Sequence, residues 1–193
     1  MENTIKAYLD TLLEKYADNE ALCDLANSLL VYGAAAQQYV GQSEDSFVTE
    51  IGELSAIPAF TVTKNGTASA DYCIVGAGLR LDGAFDFGVQ IKAASIQGLT
   101  LAITTANETT EIALSSANKV GDYYVVYFNE LTALELSDDI TFALRKNGEQ
   151  IGKSLTMSAN AYLYNASLGN DANLATLAKA LYAYGVAAKA YQG

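Results

Sequence analysis

The chain contains no histidine and no tryptophan, one proline (Pro58) and two cysteines (Cys23 and Cys73). Without histidine there is no imidazole base, no histidine zinc ligand and no Ser-His or Cys-His nucleophile pair. Without tryptophan the broadest platform for stacking on sugars is missing, which leaves that task to the thirteen tyrosines. Cys23 lies in a helical pattern and Cys73 in a strand pattern, so two buried free thiols are expected rather than a bridge. Positive charge is also scarce: 11 Lys and Arg face 22 Asp and Glu, for a net charge of -11 and a pI near 4.3. Such a chain repels phosphate backbones and anionic lipid, and it has no basic stripe to offset this, so nucleic acid is not an expected partner. No apolar run approaches the roughly 18 residues that span a bilayer, so no membrane insertion is expected. Met1 to Asp18 reads as a partly acidic amphipathic helix and not as a signal peptide; taken alone, the residues describe a soluble intracellular chain.

What the chain does contain is a passage written twice. Leu22 to Gly41 and Leu174 to Gly193 are identical at ten of twenty positions, and both close on Tyr-Gly-x-Ala-Ala-x-x-Tyr-x-Gly. A spacing of 152 residues is too long for a solenoid, so the copies bracket a region of different character. Ile5, Tyr8, Leu9, Leu12 and Leu13 form an apolar stripe at helical spacing. Asp18 or Asn19 is placed to cap a second helix, whose face is expected to be Leu22, Leu25, Ala26, Leu29, Gly33, Ala36 and Val40, ending at Gly41. Gly33 inside that helix costs about 1 kcal/mol relative to alanine. Its recurrence at Gly185 points to a packing seam of small residues flanked by Tyr32 and Tyr39, with a ligand groove floored by glycine and alanine as the alternative. Residues 157–168 and 174–192 predict a second hairpin, with Asp171 as a cap.

Between the hairpins the period changes to two. Phe85, Phe87, Val89 and Ile91 alternate with Asp86, Gly88, Gln90 and Lys92; 99–104 and 140–145 repeat the pattern. Lys64-Asn65-Gly66-Thr67 and Lys146-Asn147-Gly148-Glu149 carry the Asn-Gly signal of hairpin turns. Eight or nine short strands with no helical pattern among them give an antiparallel sandwich. The expected fold is therefore α+β: an antiparallel β-sandwich over 47–156, flanked by αα-hairpins over 1–42 and 157–193, in one compact unit. Tyr123, Tyr124, Val125, Val126, Tyr127 and Phe128 break the alternation, being apolar on both faces. Either helices cover the second face, or Tyr123, Tyr124 and Tyr127 form an exposed binding row.

Catalytic signals are weak. The nearest acidic pairs, Asp82 with Asp86 and Asp138 with Asp139, read as turn acids rather than the facing carboxylates of a glycosidase. No calcium-loop spacing, P-loop, GxSxG or CxxC occurs, so no catalytic residue, metal or cofactor is expected. Three bare glycosylation sequons begin at Asn65, Asn107 and Asn165.

Val31-Tyr32-Gly33-Ala34-Ala35-Ala36-Gln37-Gln38-Tyr39-Val40 resembles the Asn-Tyr-Gly-Ala-Ala-Ala-Gln-x-Tyr-Phe signature of a known module. That module is a β domain ending in a helical hairpin, found in secreted multi-modular surface proteins of Gram-positive gut anaerobes. Here Val31 and Val40 depart from its Asn and Phe, and the second copy departs further at Val186 and Lys189. Gly78 to Phe87 is similar to the family's early strand pair, and Leu136 to Thr141 to a late strand. The resemblance implies an extracellular, non-catalytic binding or adhesion module on a bacterial surface, next to other modules of the same polypeptide. Its implied ligand is a host protein such as immunoglobulin, with plant or mucin glycan as the alternative and a structural spacer as a third reading. It also implies that the first hairpin is a remnant of a preceding repeat.

Overall fold

The computed structural model describes residues 4–80 and 85–193. Among the described residues, four α-helices and ten strands confirm the α+β class: helices at both ends of the chain, two antiparallel sheets between. The chain divides into two compact units, residues 1–59 with 163–193 and residues 60–162.

The first unit is helical. Helix α1 (Thr4–Lys15) and helix α2 (Glu20–Tyr39) form the first hairpin, with Leu9 of α1 packed among Ala26 and Leu30 of α2. Asn19 is the cap, its Oδ1 accepting from the Leu22 N–H at 3.0 Å. At the other end Gly41 takes φ +79°; its N–H donates to Gln38 O and that of Gln42 to Gln37 O, both at 3.0 Å. This paired closure needs a left-handed residue, which glycine supplies without strain. The expected faces shift by about one residue. Tyr8 is 68 % exposed and Val40 69 %, while Leu30, Ala34 and Ala35 are buried instead. The helix needs two buried faces, one for α1 and one for the second copy of the repeat, and a single 3-4 stripe cannot represent both.

Helix α3 begins at Ala159 and runs to Ser167; α4 spans Ala172–Gln192, with Asp171 Oδ1 capping the N–H groups of Asn173 and Leu174 at 3.0 Å. The two copies of the repeat meet each other. Tyr32 of α2 and Tyr184 of α4 stack with ring centroids 6.0 Å apart and planes 7° from parallel. Small residues permit this approach: Ala35 and Ala188 are buried, as is Gly185. Gly33 serves a different neighbour, since a Cβ there would sit 3.4 Å from Val48 Cγ2, in the segment that follows the hairpin. Gln37 ties that segment down, donating to Ser46 O at 3.0 Å and accepting from the Val48 N–H at 2.8 Å.

Burial, and secondarily the Tyr184 phenol beside it, raises the Tyr32 pKa above its ordinary 10.0. A raised folded pKa favours the protonated phenol in the native state. The associated stability is complete below the unfolded value and is lost as pH climbs through the folded one. Thermal melts of the helical signal are expected to weaken above pH 10 in the wild type, and to weaken less in Tyr32→Phe. Equal alkaline slopes in the two proteins would refute this origin.

The second unit holds the sheets. The six-stranded sheet runs β1 (Thr63–Asn65), β10 (Ser154–Met157), β8 (Ile140–Lys146), β4 (Leu99–Thr104), β5 (Thr109–Ala113), with β9 (Glu149–Gln150) paired to β8. The four-stranded sheet runs β2 (Tyr72–Arg80), β3 (Phe85–Ala93), β7 (Tyr123–Leu131), β6 (Asn118–Val120). Alternation puts Phe87, Val89 and Ile91 of β3 in the core, facing Leu101, Ile103, Phe142 and Leu144 of the other sheet. Phe87 and Phe142 meet edge to face, centroids 5.6 Å apart.

The two Asn-Gly signals part company. Asn147 (φ 54°) and Gly148 (φ 82°) turn β8 into β9 as expected. Asn65-Gly66 makes no hairpin: β1 pairs with the distant β10, Asn65 opposite Ser154, whose Oγ donates to Asn65 O at 3.2 Å. Strand structure starts at Thr63 rather than Phe47. The intervening stretch contains Pro58, which offers no N–H to a ladder. Met157 closes β10 opposite Ile140 instead of opening a helix. Both cysteines are free, as expected, but each is only partly buried.

Candidate binding surface

The outer face of the four-stranded sheet carries the tyrosines singled out from sequence, and pleating divides them. Tyr127 lies opposite Gly88 and Tyr124 opposite Ile91. Tyr123, Val125 and Tyr127 therefore share the face away from the core, while Tyr124 points to the core side with Val126 and Phe128. Tyr124 is half-buried there, with Lys119 Nζ 5.8 Å from its ring centroid. The row of three is thus a pair: Tyr123 and Tyr127, 39 % and 38 % exposed, with Val125 buried between them. Four residues of strand place their Cα atoms about 13 Å apart.

The floor of this face is glycine. Gly78 and Gly88 lie opposite each other on β2 and β3. The Tyr127 ring covers Gly88, where a Cβ would come within 3.3 Å of Tyr127 Cε1; Tyr162 covers Gly78 at 3.4 Å. Gly76, beside the β-bulge that follows Ile74, is uncovered, and Val75 next to it is exposed. Val120 on β6, opposite Tyr123, extends the apolar strip.

One charged pair anchors the strip. Asp86 Oδ2 receives a hydrogen bond from Arg80 Nη2 at 2.5 Å, and the Arg80 guanidinium carbon sits 4.4 Å from the Tyr127 ring centroid. Alternation alone predicts an exposed Asp86, yet it is buried, and its Oδ1 accepts no hydrogen bond among the described residues. The charge-assisted hydrogen bond from Arg80 to Oδ2 offsets part of the cost of that burial. Sequence reading missed Arg80 as part of this surface. Its cross-strand register with Asp86 is the feature that could have revealed it, but the register depends on knowing where the bulge falls.

The other acidic candidates are Asp82 with Asp86, and Asp138 with Asp139. Asp82 lies outside the described residues, and its proposed partner Asp86 is held by Arg80. Asp138 and Asp139 sit in the turn before β8, as expected. They share a small cleft of about 90 Å³ with Glu108 and Glu135. Glu135 is already engaged, its Oε2 accepting from Thr132 N–H and Oγ1, both at 2.9 Å. Among the described residues no group of three or more acidic or cysteine side chains could hold a metal ion. A cleft of about 270 Å³ is lined by Thr61, Thr63, Ser137, Thr156 and Ser158 with Phe60 and Asp139. The helical unit has its own larger one, about 890 Å³, between the segment 47–54 and side chains including Lys6, Gln38 and Lys179. No described helix is long and apolar enough to cross a membrane.

No protein-family model matches the chain. No curated protein matches it either.

Proposed function

We propose that this chain is a non-catalytic binding or adhesion module of a bacterial surface protein, and that its ligand is a host protein such as an immunoglobulin. The observation that carries the reading is the outer sheet face: two half-exposed tyrosines, one clamped by an arginine, on a floor of glycines edged by Val75 and Val120. Tyrosine and arginine are among the side chains that most often dominate protein interfaces, tyrosine because its rigid ring buries a large area at low entropic cost and arginine through its planar hydrogen-bonding fork. Tyr127 is already fixed by Gly88 and Arg80, so binding orders little that is not ordered beforehand. The acidic surface disfavours nucleic acid and anionic lipid as competitors. The cellular location and the neighbouring modules rest on the resemblance of the Tyr-Gly-Ala-Ala hairpins.

The test is Tyr123→Ala, because Tyr123 contributes least to the sheet itself. Against a panel of host proteins, immunoglobulins included, the substitution is expected to weaken binding by at least 10-fold, about 1.4 kcal/mol or more. Wild-type silence across the panel removes the host-protein reading. Exposure of both tyrosine rings on one face also supports glycan attachment, through stacking on sugar faces. In that case polysaccharide retention, and not host-protein binding, is lost in Tyr123→Ala. Hydrolysis of a glycan panel by the chain would overturn the non-catalytic reading.

A further inference from the structure

The α2–α4 contact has the form of an interface between two copies of one helix. Tyr32 and Tyr184 are equivalent positions of the repeat, and they stack on each other. Contact between equivalent residues is the mark of a two-fold, self-complementary interface. Gln38, beyond Tyr32 on α2, lines the same cleft as Thr176 and Lys179, which precede Tyr184 on α4. The helices are therefore antiparallel, and the local two-fold axis passes between the two rings.

The copies differ in charge. α2 carries Glu20 and Asp24 with no Lys or Arg, whereas α4 carries Lys179 and Lys189 with no Asp or Glu. The antiparallel direction brings the acidic start of α2 toward the end of α4 that holds Lys189. Pairing α4 with another α4 would set lysines against lysines, so the helix that best fits α4 is α2. In the segment joining α2 to β1, Val48 packs on the first hairpin and Ile57 is buried, while the backbone between them is untied. Among the described residues, 49–59 make no backbone–backbone hydrogen bond. Residues 49–62, fully extended, reach about 45 Å.

We infer that this contact is exchangeable between chains: the α1–α2 hairpin of one copy docks on α4 of a second copy, and reciprocally, giving a swapped dimer. The helix–helix contacts are the same in the closed and exchanged forms, so the hinge segment, with the burial of Ile57, and association entropy separate them, and concentration sets the balance. The hairpin moves with residues up to Val48, which Gln37 and Gly33 hold to α2. This inference does not rest on the ligand reading.

The experiment uses the full wild-type chain. Unlabelled and ¹⁵N-labelled protein are mixed, unfolded in guanidinium, refolded together at high concentration and separated by size. A species of twice 20.4 kDa is expected, growing with refolding concentration. Photo-oxidative dityrosine cross-linking then joins Tyr32 to Tyr184. In the dimer about half of those links should pair a labelled with an unlabelled peptide, because each link crosses chains; in the monomer none should. A chain that stays monomeric at every concentration overturns the inference. So does a dimer whose Tyr32–Tyr184 links all join peptides of one isotope, or one joined through Tyr184–Tyr184 links.

Discussion

Phe142→Ala is expected to destabilise the sheet unit by about 3 to 5 kcal/mol, the largest effect of any single truncation proposed for this chain. Phe142 is fully buried on β8, between Leu155 and Ile103 on the neighbouring strands, and its ring meets Phe87 of the opposite sheet edge to face. Truncation removes both the transfer free energy of the ring and its contacts across the sandwich. The neighbours are anchored in two different sheets and cannot collapse far into the space left. Guanidinium unfolding should show a lower midpoint with an unchanged slope, the sign of lost stability rather than a changed denatured state. A loss below about 1 kcal/mol would mean that this ring pair is not central to the join between the sheets.

Arg80→Ala is expected to cost about 2 to 3 kcal/mol. The Asp86 side chain is 7 % exposed, so removing its cation strands a carboxylate away from water. The loss stays below that of a fully buried pair because the Arg80 side chain is 46 % exposed and water reaches it already. The substitution also uncovers one face of Tyr127. If the stranded charge is the main cost, adding Asp86→Asn to Arg80→Ala should recover part of the stability, since an amide is cheaper to bury than an ion. A double variant no more stable than Arg80→Ala would assign the loss to Tyr127 packing instead.

Much of this architecture was legible in the chain. The change from a 3-4 period to a period of two located helices and strands, because burial on one face imposes those repeats wherever the element lies. Asn19, Gly41 and Asp171 were readable as caps because capping satisfies local backbone groups with local side chains. The Asn147-Gly148 turn was readable for the same reason. Asn65-Gly66 misled because its neighbour β1 finds its partner some ninety residues later in β10, a pairing that no local signal encodes.

The candidate surface was only half legible. Tyr123 and Tyr127 stood out as ring-rich residues of a strand apolar on both faces. Assigning Tyr124 to the same surface ignored pleating, which sends it to the other side of the sheet. Asp86 looked like one more outward polar residue. Its burial goes with the hydrogen bond from Arg80, a residue of the neighbouring strand.

By itself the sequence determined the element types, the α+β order, the helix ends and the existence of a repeated helix, all consequences of short-range periodicity and backbone chemistry. Tertiary structure alone decided that the two copies of that helix pack against each other through Tyr32 and Tyr184. It alone set which strands pair, and which tyrosines reach the outer face. These depend on contacts between residues far apart in the chain, where register and bulges choose among pairings that local sequence leaves equally open.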